Sequence, residues 1–123
     1  MAYLLDSNLL IYSTSPSYAF LQPLILDSSN FASVISKVET LGFHQLDAAD
    51  EVYFTSLFSL LTLLPLTTTV IDHAVRLRQQ RRMTLGDSLI SAMAIEFRLD
   101  VATRNTADFT AIPSLRVFNP FQP

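Results

Sequence analysis

The sequence predicts an α/β fold, a three-layer α/β/α sandwich around a central, mostly parallel sheet of four to five strands. Two observations support this prediction. Short apolar segments alternate with segments of helical periodicity along the 123 residues. Half of the residues are hydrophobic and only 15% are charged, so the chain can bury a substantial core. Because no linker interrupts the chain, we expect a single domain over residues 1–123.

The predicted strands are short apolar runs, most of them followed by a helix. We place strands at residues 3–5, 30–35, 63–66, 99–103 and 115–118. Helices are predicted at residues 7–13, from 16, from 36, at 47–61, from 67 and from 86, with a turn or short helix at 105–109. Strands joined through crossover helices favour parallel pairing.

Several helices carry start or stop signals. Pro16 suits the first position of a helix, and Pro23 is expected to break or kink it. Ser36 is followed three residues later by Glu39, which is the spacing of a capping box and predicts a helix that begins at Ser36. Asp47 predicts the start of the next helix.

Two helices have apolar faces that predict how they pack. The helix from Asp47 has two apolar stripes, and we expect one to face the sheet and the other to meet a partner. The first stripe is Ala49, Val52, Tyr53, Ser56, Leu57 and Leu60, and the second is Phe54, Phe58 and Leu61. In the helix from Thr67 the residues expected to point inward are Val70, Ile71, Ala74, Val75 and Leu77.

Composition excludes several classes of function. The net charge of −3 argues against a protein that coats nucleic acid, although it does not exclude a nuclease. The chain has no cysteine, and its only glycines, Gly42 and Gly86, cannot build a phosphate-binding glycine loop. His44 and His73 do not have the spacing of metal ligands. No apolar run is long enough to span a membrane, so we expect a cytoplasmic protein.

Four acidic residues stand at comparable places in the predicted fold. Asp6 follows the first strand, Glu39 lies one helical turn beyond the second, and Asp87 is in the first turn of a helix. Asp108 follows the fourth strand, behind Thr103. Because the carboxyl ends of parallel strands share one edge, we expect these side chains to approach each other there.

Each of these acids alone has a structural explanation, since Asp and Glu are common at helix caps and in first turns. Together they point to a metal. Two carboxylates about 4 Å apart repel by roughly 4 kcal/mol at an effective dielectric of 20. Oxygen ligands favour Mg²⁺ or Mn²⁺, and such an ion activates water for attack on a phosphodiester.

Four sequence blocks resemble the PIN domains, and most of all the VapC toxins of toxin–antitoxin pairs. They are LLDSNLLIY around Asp6, SVISKVETLG around Glu39, LGDSLISAMA around Asp87 and TRNTADF around Asp108. The resemblance implies an endoribonuclease dependent on Mg²⁺ or Mn²⁺, in which water attacks RNA and leaves a 5′-phosphate and a 3′-hydroxyl.

The resemblance also implies roles for individual residues and partners. All four acids would be catalytic, and Asp6, Asp87 and Asp108 would bind the metal. The supporting polar residues would be Ser7, Thr103 and Asn105, and candidate RNA contacts are Arg78, Arg82 and Arg104. Partners would be an antitoxin, a second copy of the chain in a homodimer and an RNA, possibly a tRNA. The second apolar stripe of the Asp47 helix and the aromatic-rich segment 12–20 are candidate partner surfaces. The arginines at 76–82 equally suit a helix C-terminus, whose dipole favours cations.

Two other functions stay open. A PIN-like fold could serve only as a protein-binding module, and calorimetry would then detect no binding of divalent metal. A phosphatase of the HAD type also places an aspartate after its first strand. That class needs a second acid two residues later, where this chain has Asn8.

Overall fold

One parallel sheet lies at the centre of the structure, a computed structural model that describes residues 2–122. Its strands are β1 (Tyr3–Leu5), β2 (Phe31–Ser33), β3 (Thr62–Leu64), β4 (Asp100–Ala102) and β5 (Val117–Phe118). They follow the order β3-β2-β1-β4-β5, and every pairing is parallel. The central position of β1 places the residue after its end between the ends of β2 and β4.

Six helices and two short 3-10 segments complete the described part of the chain. The helices are α1 (Ser7–Tyr12), α2 (Gln22–Ile25), α3 (Val34–Leu41), α4 (Ala48–Leu60), α5 (Thr68–Gln80) and α6 (Leu85–Glu96). The 3-10 segments are Pro16–Leu21 and Thr106–Asp108. The break expected at Pro23 lies earlier, because Tyr18 has non-helical dihedral angles, whereas the change from the 3-10 segment to α2 next to Pro23 keeps helical angles. Within residues 2–122, no helix has the length and apolarity needed to cross a membrane.

The sheet separates two apolar cores. Successive side chains of a strand point to opposite faces. Leu4 and Val101 therefore pack under α5 and α6 on one face. Leu5 and Ala102 pack under α1, α2 and α4 on the other. Each fully buried leucine stabilises the fold by roughly 1.5–3 kcal/mol. The predicted α/β/α sandwich is confirmed.

Helix α3 begins three residues earlier than the capping-box spacing predicted. Ser33, the last residue of β2, is its N-cap, and its Oγ accepts a hydrogen bond from the backbone N–H of Ile35 at 3.0 Å. Ser36 lies inside the helix and is fully buried. The prediction was wrong because the chain passes from β2 into α3 without a loop, so a strand residue also caps the helix.

Replacing Ser33 by alanine should lower the free energy of unfolding by about 1 kcal/mol, because a first-turn N–H loses its cap. Urea unfolding of the two proteins measures this difference. A Ser33→Ala variant as stable as the parent would show that the cap lies elsewhere.

The structure shows that the predicted roles of the two apolar stripes of α4 were largely wrong. Phe54 and Phe58 of the second stripe are buried in the core together with Leu57 of the first, whereas Val52 and Leu60 of the first are 67% and 72% exposed. The stripe assigned to a partner therefore faces the sheet. Helical periodicity could not choose between the faces because both carry apolar residues. Its predicted start is confirmed, since Asp47 caps the helix.

Helix α5 buries a narrower face than predicted. Val70, Ala74 and Leu77 lie in the core, but Ile71 and Val75 are half-exposed. The buried residues follow an i, i+4, i+7 spacing, which is a single stripe directed at the sheet and α6. The two exposed residues are displaced by one position along the helix, which rotates them toward the solvent.

Candidate metal centre

Asp6 and Thr103 meet at the carboxyl edge of the sheet. Leu5 pairs with Ala102, and the backbone N–H of Asp6 donates to the Ala102 carbonyl at 2.9 Å. Thr103 follows Ala102 and donates from Oγ1 to Asp6 Oδ2 at 2.8 Å. Asp6 Oδ1 accepts from the backbone N–H of Ser7 at 2.8 Å, which also caps α1. Both oxygens of Asp6 are therefore fixed by the fold.

Thr103 is itself held in place by its neighbours. Its Oγ1 accepts from the backbone N–H of Asn105 at 3.0 Å and from Asn8 Nδ2 at 3.3 Å. With these two donors on Oγ1, the hydroxyl proton is directed to the carboxylate of Asp6. Asn105 thus supports the site through its backbone, and its side chain is exposed.

A chain of hydroxyls orients Glu39. Ser7 Oγ lies 2.7 Å from Glu39 Oε1 and 2.8 Å from Ser36 Oγ. Because a carboxylate only accepts and Ser7 has one hydroxyl proton, Ser7 donates to Glu39 and Ser36 donates to Ser7. Ser36 and Glu39 are three residues apart on α3, so they lie on the same face. The contact links α1 to α3 across the ends of β1 and β2.

The other oxygen of Glu39 lies against the first turn of α6. A Cβ on Gly86 would stand 3.0 Å from Glu39 Oε2, so only glycine leaves this space free. The next residue is Asp87, whose backbone N–H donates to the N-cap Thr84 at 3.1 Å. Glu39 and Asp87 are thereby brought together at the N-terminus of α6, where the helix dipole favours negative charge.

The charges of all four acids are coupled. Burial raises the pKa of Asp6 from 3.8 to about 6, and the charges of Asp87 and Glu39 add to this, against the hydrogen bond from Thr103. Burial also raises the pKa of Asp87, followed by the charges of Asp108 and Glu39. Asp108 reaches this edge on the 3-10 segment after β4. The four acids therefore lie near enough at this edge to influence one another's charge.

These residues fit a hydrated hard cation better than one enclosed by protein. Across residues 2–122, no three acidic or histidine side chains stand close enough together to ligate one ion. Mg²⁺ usually keeps several waters and is bound through one or two carboxylates. Beside Thr103, the Oδ1 of Asn8 is buried without a hydrogen-bond partner and can accept from such a water. All the available donors are oxygens, which suit Mg²⁺ or Mn²⁺.

We call the edge of the sheet that carries Asp6, Glu39, Asp87 and Asp108 the acidic edge. A short link after α5 leads to α6, the helix that carries Asp87. His73 Nδ1 and Glu96 Oε1 are 2.8 Å apart, so the middle of α5 lies against the end of α6. The two helices are therefore antiparallel and joined by a short link. Arg78, near the end of α5, lines a surface groove with Leu85 and Ser88 at the start of α6, and Arg82 lies in the link between the two helices.

The neighbouring Arg81 ties this helix end to the segment that carries Asp108. Its Nη1 donates to the carbonyl of Ala111 at 2.7 Å. Ala111 lies three residues beyond Asp108, so the guanidinium fixes the loop behind that carboxylate. Arg104, by contrast, contacts aromatic rings on the other side of the edge.

Comparison with known proteins places the chain in a family. Residues 3–115 match the model of the PIN domain. The chain belongs to the PIN-domain family. The resemblance predicted from the four sequence blocks is thus confirmed. A search of proteins with curated functions finds no significant match to this PIN domain.

Solved structures of toxin–antitoxin complexes contain similar chains. One, from Klebsiella pneumoniae, is 28% identical with a TM-score of 0.77 over 96% of this PIN domain and 97% of that chain. FitAcB from Neisseria gonorrhoeae is 27% identical with a TM-score of 0.78 over the whole of both chains. DNA-bound VapBC from Salmonella typhimurium, at 21% identity and a TM-score of 0.81 over 96% and 97%, shares the fold.

Sequence reasoning missed three parts of this PIN domain's acidic edge. Ser36 was assigned to a cap, although it supports Ser7. Gly86 was noted only at a helix start, and its contact with Glu39 requires two helices to be placed in space. Arg81 was included only in the basic cluster. A signal existed for Ser36, because a serine one turn before a candidate ligand shares its helix face.

Proposed function

We propose that this PIN domain is an endoribonuclease dependent on Mg²⁺ or Mn²⁺ and the toxin of a toxin–antitoxin pair. One observation carries the proposal most strongly. Asp6 is buried, its pKa is raised to about 6, and the nearby charges that raise it further are carboxylates. A fold that keeps such mutually repelling acids together is typical of a site for a cation.

The residues of this edge would divide the work. Asp6, Asp87 and Asp108 would hold the cation partly through the waters that it keeps, with Asp6 oriented by Thr103. When bound, a divalent ion activates water and neutralises the charge that develops on the phosphate. Glu39 is held through Oε1 by Ser7 and is exposed, so its carboxylate is accessible to a substrate at the edge.

Partners follow from the family and the similar complexes. We propose that the chain binds an antitoxin and forms a homodimer in the cytoplasm. The support for these partners is the likeness to chains from toxin–antitoxin complexes. Candidate contacts to RNA, possibly tRNA, are Arg78, Arg82 and Arg104. The first two lie near the end of α5 and in the link that leads to the helix carrying Asp87.

Incubation of the purified chain with cellular RNA tests the activity. We expect cleavage with Mg²⁺ or Mn²⁺, none with a chelator, and recovery when excess metal is restored. Products should carry a 5′-phosphate, which permits their ligation without prior phosphorylation. Cleavage that persists in the chelator, or products with cyclic phosphate ends, would contradict a metal-activated water.

Replacing Gly86 by alanine should reduce RNA cleavage by about 10-fold, because small displacements of catalytic groups are costly. The new Cβ would press on Glu39 Oε2. The fold should not be weakened, since alanine favours a helix over glycine by about 1 kcal/mol.

A double-mutant cycle with Glu39→Ala provides the control for this variant. If Gly86→Ala acts through Glu39, adding it to Glu39→Ala should cause no further loss of activity. Losses that multiply in the double variant would show that Gly86 acts by another route.

A further inference from the structure

Arg104 is enclosed by three aromatic rings. Its guanidinium carbon lies 4.3 Å from the ring centroid of Phe121, 4.9 Å from that of Tyr12 and 5.7 Å from that of Tyr18. The rings come from α1, from the first 3-10 segment and from the C-terminal segment, and they contact each other edge to face. We call Arg104 and these three rings the aromatic cage. Its parts are far apart in sequence, so the fold assembles it.

The cage stands directly beside the acidic edge. Arg104 follows Thr103, whose hydroxyl donates to Asp6, and precedes Asn105, whose backbone N–H donates to Thr103. The Arg104 side chain is exposed, and within residues 2–122 the ion pairs of the structure do not include it. A cation beside four carboxylates, without a carboxylate of its own, is available for an anionic ligand.

The Tyr18 and Tyr12 hydroxyls lie within reach of the guanidinium and leave part of its hydrogen-bonding capacity free. Arginine carries five N–H donors in a planar fork that matches two oxygens of a phosphate. Aromatic faces attract the cation electrostatically but accept few of these protons. The rings also restrict the side chain before any ligand arrives, so less freedom is lost on binding. The cage is therefore a phosphate-binding group that is already oriented.

Phe20 extends the cage with an exposed aromatic surface. Its ring lies 5.2 Å from that of Phe121 and 6.3 Å from that of Tyr18, and it is 52% exposed. Single-stranded nucleic acids are commonly bound by bases stacking on such rings next to a cation on the backbone. A base in a duplex is already stacked and could not use this surface.

We propose that the aromatic cage and Phe20 bind one unpaired nucleotide of the RNA beside the scissile phosphate. Arg104 binds the phosphate of that nucleotide, and its base stacks on Phe20. This subsite rests on the proposed ribonuclease function and adds to it the residues that bind this nucleotide.

Binding in a chelator tests the subsite separately from cleavage. The probe is a fluorescent single-stranded oligoribonucleotide, with a duplex of the same length for comparison. We expect the single strand to bind more tightly, and Arg104→Ala to weaken that binding about 10-fold and lower its salt dependence by one phosphate contact. Arg104→Lys should recover part of the loss, since it keeps the charge without the fork.

Two further variants complete the test. Phe20→Leu, at an exposed position, should weaken single-strand binding several-fold and leave duplex binding unchanged. Arg116→Ala removes the same charge at an exposed residue that pairs with Asp100 at the other end of β4, and it should bind RNA as the parent does. With metal, the Arg104 and Phe20 variants should raise KM and leave kcat unchanged.

Three results would overturn the subsite. Equal affinities of Arg104→Ala and Arg116→Ala would show that only net charge matters. A fall in melting temperature and kcat without a change in affinity would make the cage a clamp for the C-terminal segment. Displacement of the probe by an acidic peptide at equal concentration would assign the cage to a protein partner. If the parent chain cleaves no RNA while Arg104→Ala still loses RNA binding, the proposed function is rejected and the subsite is retained.

Discussion

Asp6→Asn is expected to stabilise the metal-free protein at pH 7.5 by about 1–3 kcal/mol and to reduce RNA cleavage by at least about 100-fold. The stability gain follows from the raised pKa of about 6, since ionising a buried carboxylate costs free energy in the folded state. Asparagine has no charge and still accepts from the N–H of Ser7. It cannot accept through its amide nitrogen from Thr103, which keeps the gain below the full value of roughly 3 kcal/mol.

The pH dependence of this gain has a definite sign. Below pH 3.8 Asp6 is protonated in both states, so its ionisation costs nothing. Between pH 3.8 and about 6 the unfolded chain releases the proton while the folded chain retains it. Stability therefore falls as pH rises through this range and is not recovered above it.

Urea unfolding of the parent and Asp6→Asn at pH 4 and pH 7.5 measures this effect without metal. The advantage of the variant should grow between the two values, because only the parent carries the titrating group. An advantage that is the same at both pH values would show that burial does not raise the pKa of Asp6.

Asp87→Asn is expected to lower RNA cleavage by at least about 100-fold, since even indirect supports of a metal ligand are worth 10–100-fold. Asp87 is coupled to Asp108 and Glu39 at the first turn of α6. Its backbone N–H, which bonds Thr84, is retained in the variant, so the helix start should persist.

Asp72→Asn is the matched control, because Asp72 is an exposed residue of α5 outside the acidic edge. It makes the same change of charge and should cleave RNA within about two-fold of the parent, as surface substitutions have small effects. Equal activity of Asp87→Asn and the parent would remove Asp87 from the site.

The positions of the acids along the chain predicted more of this PIN domain than its helix faces did. Asp6 and Asp108 follow strands, and parallel strands must bring such residues to one edge. That inference needs only the order of elements. The start of α3 required more, because Ser33 belongs to a strand and a helix at once.

Predictions that depended on three-dimensional placement fared worse. Both faces of α4 are apolar, and only its packing against Leu5 and Ala102 selects Phe54 and Phe58 as core residues. The packing of α5 against α6, with His73 beside Glu96, also has no signal in local periodicity. Residues 12–20 were predicted only as a partner surface, because Arg104, whose guanidinium contacts Tyr12 and Tyr18, is nearly a hundred residues farther along the chain.

The acidic edge explains both the proposed function and a lower stability of the metal-free fold. Without a cation, the buried charge of Asp6 and its coupling to Asp87 and Glu39 weaken the fold at neutral pH. A bound divalent ion would favour the ionised carboxylates and reverse this cost. Folding and metal binding should therefore be linked at this edge.

Titration of Mn²⁺ with electron paramagnetic resonance detection tests this account most directly, because only free Mn²⁺ gives the strong aqueous signal. At pH 7.5 the parent is expected to remove Mn²⁺ from solution saturably, Asp6→Asn to remove far less, and Asp72→Asn to match the parent. Equal curves for the parent and Asp6→Asn would contradict a metal centre at the acidic edge.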